Sequence, residues 1–238
     1  MVRELKTEGS DRSDQVGMRT GVSLASNLAA PGVEMPVRPA VSVIVARDTA
    51  RGLEVFVQHR VKTMDFAAGV VVYPGGRVDP QDHEAAAALD VPDSLVEEHV
   101  AAWSRTELGA DPTFARALIA TAQREVGEEA GATIPPSALK PWANWITPPG
   151  RTKRFDTYFY VARGDQIGDM RHQTTEATMS EWMNVEQILR EEAAERLKLM
   201  RPTLVLLNEV HHLGSVDALI SAQREIEPVR PFMPGKHG

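Results

Sequence analysis

Cysteine is absent from this chain of 238 residues. Disulfide scaffolds, cysteine-based zinc sites and thiol catalysis are therefore excluded. The sequence also lacks an apolar run of about 18 residues, the length that a transmembrane helix requires. Its polar, mixed-charge start has no apolar core of the kind that export signals contain. These absences predict a cytoplasmic protein that does not span a membrane.

Basic residues are fewer than acidic ones, with 26 Lys and Arg against 33 Asp and Glu and a formal net charge of -7. Nucleic acids and anionic membrane surfaces usually bind basic faces. The charge balance therefore argues against both classes of partner. The apolar share of 42%, together with the length of the chain, predicts a globular protein with a sizeable core.

The chain divides into parts of different composition. Residues 1–36 mix Gly, Ser, Asp and Arg without sustained periodicity, which is typical of a disordered tail. We expect a folded domain over residues 37–230, with a helical insertion around residues 80–111, and an irregular tail over residues 231–238. Apolar and β-branched runs predict strands at residues 41–46, 54–59, 70–73, 142–147, 155–162 and 176–182. Further helices are predicted at residues 185–197 and 203–212.

Capping signals predict the helices between these strands. Within the insertion, Asp93-Ser94 is a candidate cap for a helix that packs through Leu95, Val96, Val100 and Trp103. Asp111-Pro112 begins a second helix, because Asp is a favoured N-cap and Pro is favoured in the first turn. Gly131 ends that helix.

Three carboxylates recur on one side of this second helix. Glu125, Glu128 and Glu129 fall within about 100° of arc, beside an apolar stripe formed by Ala115, Ile119, Ala122, Val126 and Ala130. Like charges three and four residues apart destabilise an isolated helix, so a bound divalent cation would account for the cluster. The alternative is a solvated helix face on which Arg124 pairs with Glu128.

Together with Gly75-Gly76, the stretch Arg124-Glu125-Val126-Gly127-Glu128-Glu129-Ala130-Gly131 resembles the Nudix box. The resemblance implies a Nudix-like α/β/α sandwich with a mixed sheet, a helical insertion in the box and a helical C-terminal extension. It also implies hydrolysis of a nucleoside diphosphate linked to another group, with Arg124 and the three glutamates as catalytic residues. In such enzymes Mg²⁺ or Mn²⁺ is held by the box glutamates and often by a glycine carbonyl, here that of Gly75.

The front half of the box departs from the family pattern. Counted from Gly76, the spaced acid is Asp82 rather than a glutamate, and about 34 more residues separate it from Arg124 than usual. Counted back from Arg124, the same slot falls on Arg116. Asp82 is the better candidate, and an insertion inside the box is the simplest explanation.

This interruption resembles the coenzyme A diphosphatase branch of the family. Arg60, Gly69 and Tyr73-Pro74-Gly75-Gly76 fit that branch's upstream motif, whereas Asp65 stands where a second arginine belongs. The resemblance implies coenzyme A or an acyl-coenzyme A as substrate, bound in part by Arg60 and Gly76. The alternatives are hydrolysis of ADP-ribose or a dinucleotide, and a non-catalytic nucleotide-binding module.

Several further residues are candidates for the same site. Glu176 is a candidate general base or additional metal ligand, and Glu181 competes for that role. Arg151 and Arg154 belong to a basic loop that could anchor phosphate through charge-assisted hydrogen bonds, although solvated surface charge explains the loop equally well.

Other predictions concern residues outside the box. Asp156 is predicted to pair with Arg154. Trp142 and Trp145 either stack on an adenine or lie in the core. Homodimerisation through the insertion or the C-terminal helices is a further hypothesis.

Overall fold

The computed structural model describes residues 28–30, 32–61 and 70–230. Within these residues, eight strands and six α-helices form. The strands are β1 (Val37–Thr49), β2 (Gly52–Arg60), β3 (Val71–Val72), β4 (Gly75–Arg77), β5 (Lys140–Ile146), β6 (Arg154–Arg163), β7 (Ala177–Asn184) and β8 (Pro228–Val229). The helices are α1 (Pro80–Ala88), α2 (Asp93–Trp103), α3 (Pro112–Ala130), α4 (Val185–Ala193), α5 (Arg201–Leu213) and α6 (Val216–Ser221).

Some of the predictions concern other parts of the chain. Residues 1–27 and 31 of the expected N-terminal tail lie outside the described residues, and so do residues 231–238, Asp65 and Gly69. The boundaries of the folded domain therefore stay a prediction.

Strand β1 is central to a mixed sheet. It pairs in parallel with β6, from Val37 opposite Arg154 to Ala46 opposite Arg163. Strands β2 and β4 are both antiparallel to β1 but pair at different ends of it, β2 at residues 46–49 and β4 at residues 40–42. Strand β2 also pairs with β3 and β7, so it diverges from β4. Gly76 and Gly75 of β4 join the sheet opposite Val41 and Ser42 of β1.

Helices cover both faces of the sheet. Alternate residues of β1 face opposite sides: Val41, Val43 and Val45 pack with the apolar side of α3, whereas Ile44 and Ala46 pack in a second core with residues of α4, α5 and α6. The predicted α/β/α sandwich with a mixed sheet is confirmed. Helices α1 and α2 confirm the helical insertion, and α4 to α6 confirm the helical C-terminal extension.

Helix α3 has the ends that the sequence predicts. The Asp111 side chain accepts hydrogen bonds from the backbone N–H groups of Thr113 and Phe114 at 2.9 and 3.3 Å. At the other end Gly131 has φ of +64°, a left-handed conformation that glycine adopts without a steric penalty. The predicted apolar stripe of the helix is buried throughout. These features fix the depth at which the acidic residues lie.

Three details of the fold differ from the prediction. Pro74 interrupts the chain as expected, but Gly75–Arg77 then pairs with β1 as the short strand β4. Helix α2 begins after Pro92, with no side-chain cap, so the predicted Asp93-Ser94 cap is wrong. Asp93 lies inside the first turn. Helix α4 ends at Ala193 rather than Leu197, because the backbone leaves the helix and Glu195 has φ of +58°.

Buried aromatic and polar contacts hold the insertion on the sheet. The Trp103 ring meets those of Tyr158 and Tyr160 edge-on, with centroids 5.2 and 5.6 Å apart. His99 Nε2 lies 3.1 Å from the Leu139 carbonyl oxygen, and burial lowers the pKa of His99 to about 4. His99 is therefore neutral at physiological pH and has a packing role. No described helix has the length and apolar character needed to cross a bilayer.

Candidate active site

Gly75 and Gly76, at the start of β4, lie against the acidic side of α3. The Gly75 N–H donates to Glu129 Oε2 at 2.8 Å. A Cβ atom on Gly76 would lie 2.1 Å from Glu125 Oε1, closer than a side chain can approach. A Cβ atom on Gly75 would lie 2.2 Å from the Val41 carbonyl oxygen. Gly75 is therefore needed for β4 to fit against the backbone of β1, and Gly76 is needed for the Glu125 carboxylate to keep its position against β4.

Arg124 connects the insertion to the glutamates. Its Nε and Nη2 donate to the two carboxylate oxygens of Asp82 at 2.7 and 2.9 Å. Its Nη1 donates to Glu125 Oε1 at 2.8 Å and to Glu128 Oε2 at 3.0 Å. Nη2 also donates to the Arg77 carbonyl oxygen at 3.0 Å. The planar guanidinium suits this forked pairing, and the geometry agrees with a role for Arg124 in orienting a glutamate.

Asp82 occupies the spaced-acid position and is only 1% exposed. Its Oδ2 also accepts the Asp79 backbone N–H at 2.8 Å, at the start of α1. Burial raises the pKa of Asp82, but hydrogen bonds from Arg124 and Asp79 and the charge of Arg124 outweigh burial and lower the pKa below its usual value. Arg116, the competing candidate, pairs instead with Asp93 at 2.7 Å. The ion pair between Arg124 and Asp82 therefore connects the two ends of the insertion.

Two of the three glutamates are buried. Glu125 is 8% exposed and Glu129 is 6% exposed. Burial is the largest effect on Glu129 and raises its pKa to about 7, with the Gly75 N–H opposing this and the charge of Glu125 adding to it. Burial also raises the pKa of Glu125, and the charge of Arg124 opposes that shift. The positive charge near the two buried carboxylates is therefore too small to offset the effect of burial on their pKa values.

The chemistry of these donors fits a hard divalent cation. Carboxylate oxygens and backbone carbonyls are the ligands that such ions prefer, and a cation between the two buried carboxylates would relieve their mutual repulsion. Among the described residues, no three acidic or histidine side chains converge on one point. The Glu128 side chain is 59% exposed and pairs with Arg124 at i,i+4. Such exposed pairs contribute only about 0.5 kcal/mol, so Glu128 can rotate toward a cation.

Arg60 and Glu176 adjoin the buried carboxylates. Arg60 Nη2 donates to Glu176 Oε2 at 3.4 Å, and Arg60 Nε is buried with no hydrogen-bond partner among the described residues. The charges of both residues act on the pKa of Glu129, that of Arg60 lowering it and that of Glu176 raising it. Glu181 lies 3.0 Å from His59. It alternates with Trp182, which packs in the α3-side core, and therefore faces the other side of the sheet.

Arg151 and Arg154 lie away from this cluster, near the start of β6. Arg151 forms an isolated bridge with Leu28. The Arg154 guanidinium donates to the backbone carbonyl oxygens of Thr147 and Met35 at 3.1 and 3.3 Å. That these arginines bind the substrate stays a prediction.

Two expectations about other residues can be checked against the structure. Trp142 and Trp145 are both buried, in agreement with the core alternative. The predicted ion pair between Arg154 and Asp156 is wrong within the described residues. Asn144 and Tyr158 satisfy the Asp156 carboxylate, while the guanidinium bonds backbone carbonyls. Tertiary packing decides this, and alternation along a strand cannot reveal it.

The sequence identifies Asp82 as the spaced acid but assigns it no role in the site, and it misses the Arg77 carbonyl. The spacing from Gly76 was the available signal for Asp82, and it identified the acid without its bidentate contact. No sequence signal marks the Arg77 carbonyl, because any residue supplies that group.

Part of this chain is similar to a known protein family. Residues 116–204 match the NUDIX domain family. The matched segment covers α3 from residue 116 onward, with its glutamates, and begins after Gly75-Gly76 and Asp82, so the residues that resemble the front half of the box lie outside it.

A solved structure of a NUDIX hydrolase shares the fold of this chain. A NUDIX hydrolase from Alicyclobacillus acidocaldarius is 23% identical, with a TM-score of 0.62 over 80% of this chain and 98% of that one. The NUDIX domain of Shewanella oneidensis NrtR, complexed with ADP ribose, is 13% identical, with a TM-score of 0.46 over 81% and 97%. A MutT protein from Bacillus halodurans is 14% identical, with a TM-score of 0.45 over 75% and 85%. No protein of curated function matches the sequence.

Proposed function

We propose that this protein is a metal-dependent hydrolase of nucleoside diphosphates that are linked to another group. The observation that carries the proposal is the contact between the glycine turn and the two buried glutamates, with Gly75 bonded to Glu129 and Gly76 against Glu125. It brings the two halves of the Nudix box together although an insertion separates them. A solvated helix face would not bury two carboxylates against a glycine turn.

We assign Glu125, Glu128 and Glu129, with the Gly75 carbonyl, as the residues that would hold Mg²⁺ or Mn²⁺. A divalent cation there would neutralise charge on the diphosphate oxygens and make a nearby water more acidic. Arg124 orients Glu125 through their 2.8 Å hydrogen bond.

Glu176 remains the candidate general base, because its charge reaches Glu129 and its carboxylate is exposed enough to meet a water. Base catalysis requires a group whose pKa is near the working pH and which reaches the proton that it removes.

The proposed substrate is coenzyme A or an acyl-coenzyme A, cleaved between its two phosphates. Arg60 supports this choice, because its guanidinium is close enough to Glu129 to shift its pKa and has an unbonded Nε. Asp65, at the position of the motif's second arginine, favours the second candidate, hydrolysis of ADP-ribose or a dinucleotide.

Product analysis by mass spectrometry tests both the proposed reaction and the proposed substrate. The wild-type chain is incubated with coenzyme A, ADP-ribose or a dinucleoside polyphosphate, with and without Mg²⁺ or Mn²⁺. Glu128→Gln is the test variant and Glu97→Gln, an exposed residue of α2, is the matched control. We expect 4′-phosphopantetheine and adenosine 3′,5′-bisphosphate from coenzyme A with wild type and Glu97→Gln only.

Two other outcomes distinguish an error in the proposed substrate from an error in the proposed reaction. Cleavage of ADP-ribose or the dinucleotide alone would refute the coenzyme A assignment and keep the hydrolase. A nucleotide that binds tightly but is never cleaved with either metal would refute hydrolysis and indicate a binding module.

A further inference from the structure

A cavity of about 420 Å³ lies at the end of the sheet where β1 and β6 begin. Apolar side chains line part of it, from Val37, Pro39, Phe114 and Ile146, and charged ones line the rest, from Glu107, Arg154, Asp156 and Arg230. Phe114 is in the first turn of α3, and Glu125 is eleven residues further on. At 1.5 Å per residue the two are about 16 Å apart along the helix. The cavity is therefore distinct from the glutamate site.

Asp156 is a buried carboxylate in this cavity with no ion-pair partner among the described residues; the charge of Arg230 acts on it, but the Arg230 guanidinium pairs with Glu107 at 2.7 Å. It is 6% exposed. Asn144 Nδ2 donates to its Oδ1 at 2.6 Å, and the Tyr158 hydroxyl donates to its Oδ2 at 3.1 Å. Both donors are neutral, and within the described part of the chain no basic side chain comes within ion-pair distance. Each oxygen can still accept a second hydrogen bond. A positively charged ligand would supply the missing charge.

Arg154 is a buried cation in the same cavity, and its side chain is 10% exposed. Its hydrogen bonds go to two backbone carbonyls, and the nearest carboxylate in the described residues, that of Glu34, is 4.0 Å away on an exposed side chain. No described residue accepts a hydrogen bond from Nη2. A guanidinium has five N–H donors, so several remain for a ligand carboxylate.

The two charges lie side by side. Arg154 and Asp156 are two residues apart on β6, so both side chains project from the same face of the sheet, with α-carbons about 7 Å apart. We propose that the cavity binds a small zwitterion of the α-amino acid class. Arg154 binds its carboxylate, Asp156 binds its ammonium group, and the apolar lining accommodates its side chain.

Other ligand classes fit these charges less well. A phosphate or diphosphate would bring further negative charge next to Asp156 and Glu107. A simple amine would leave Arg154 without a counter-charge, and a simple carboxylate would leave Asp156 in the same state. Leaving one buried charge unpaired is costly, so a ligand that carries both charges is favoured over either half.

Isothermal titration calorimetry on the full chain tests the inference with probes that differ by one charged group. The probes are L-leucine and L-phenylalanine, together with two analogues of leucine: 3-methylbutylamine, which lacks the carboxylate, and 4-methylpentanoate, which lacks the ammonium group. We expect saturable binding of L-leucine or L-phenylalanine, and binding at least about tenfold weaker for each single-charge analogue. Equal binding of an analogue, or no binding of any amino acid tested up to about 10 mM, would overturn the proposal.

Two variants locate the site. Asp156→Asn should weaken amino-acid binding at least about tenfold, because it removes the counter-charge of the ammonium group. Val37→Trp changes a partly exposed side chain at the cavity and should block binding even if Asp156→Asn fails to fold. Asp165→Asn, at the opposite end of β6, is the matched control and should bind as wild type does. Unchanged binding in folded Val37→Trp would place the ligand elsewhere and overturn the assignment.

Discussion

Replacing Gly76 by alanine should abolish most of the activity while leaving the fold intact. The added methyl carbon would lie 2.1 Å from Glu125 Oε1 and 2.5 Å from its Cδ. Contacts below 3.0 Å are essentially never seen for a Cβ atom, so the carboxylate must move by about 1 Å. The clash involves the end of a flexible side chain rather than backbone, so folding can absorb it. The hydrogen bond between Arg124 and Glu125 cannot keep its geometry when the carboxylate moves.

A displacement of about 1 Å in a catalytic group lowers the rate by about 100-fold. This corresponds to about 2.7 kcal/mol of lost transition-state stabilisation. We therefore expect kcat/KM of Gly76→Ala to fall by about 100-fold on whichever substrate the wild type cleaves. Thermal unfolding should show a cooperative transition close to that of the wild type.

Gly127→Ala is the matched control, because it makes the same change within the same motif. A Cβ on Gly127 would meet only the Ala132 carbonyl oxygen, at an ordinary 3.9 Å. Its kcat/KM should stay within about twofold of the wild type, and its stability should rise by about 0.5–1 kcal/mol because alanine is the better helix residue. Wild-type activity in Gly76→Ala would refute the argument that the glycine turn positions Glu125.

Three further predictions concern stability. Asp82→Ala should lower the free energy of unfolding by about 3 kcal/mol, since it leaves Arg124 partly buried without its bidentate partner; a loss below about 1 kcal/mol in urea denaturation would contradict this. Asp111→Ala should cost about 1 kcal/mol in the same assay by removing the N-cap of α3, and an unchanged midpoint would argue against the cap. The folded-state pKa of Glu129 is raised to about 7, so in metal-free protein the folded state binds more protons than the unfolded state between about pH 4.5 and 7, and stability falls across that window as pH rises. Glu129→Gln should remove up to about 3 kcal/mol of this decline; an identical pH slope in the variant would refute it.

The sequence predicted the architecture because the local signals agreed with one another. The Asp111-Pro112 start, the apolar stripe and the Gly131 stop of α3 were each readable from residue type and spacing. The metal-site hypothesis followed from the recurrence of Glu125, Glu128 and Glu129 on one side of that helix.

Contacts between distant segments were not readable in the same way. The pairing of β4 with β1 depends on three residues with no strand propensity, and the partners of Asp156 come from residues 144 and 158 through tertiary packing. The end of α4 depends on the positive φ of Glu195, for which glutamate gives no signal. The position of Arg154 at a separate cavity likewise needed the register of β6 against β1.

The most direct test of the account is a titration of metal-free protein with Mn²⁺, followed by the electron paramagnetic resonance signal of the free ion. The wild type and Glu97→Gln should remove Mn²⁺ from solution in a saturable way, whereas Glu125→Gln should bind at least about tenfold more weakly. Equal affinity in Glu125→Gln, or no binding by the wild type at about 1 mM Mn²⁺, would contradict the assignment of the box glutamates as the metal site.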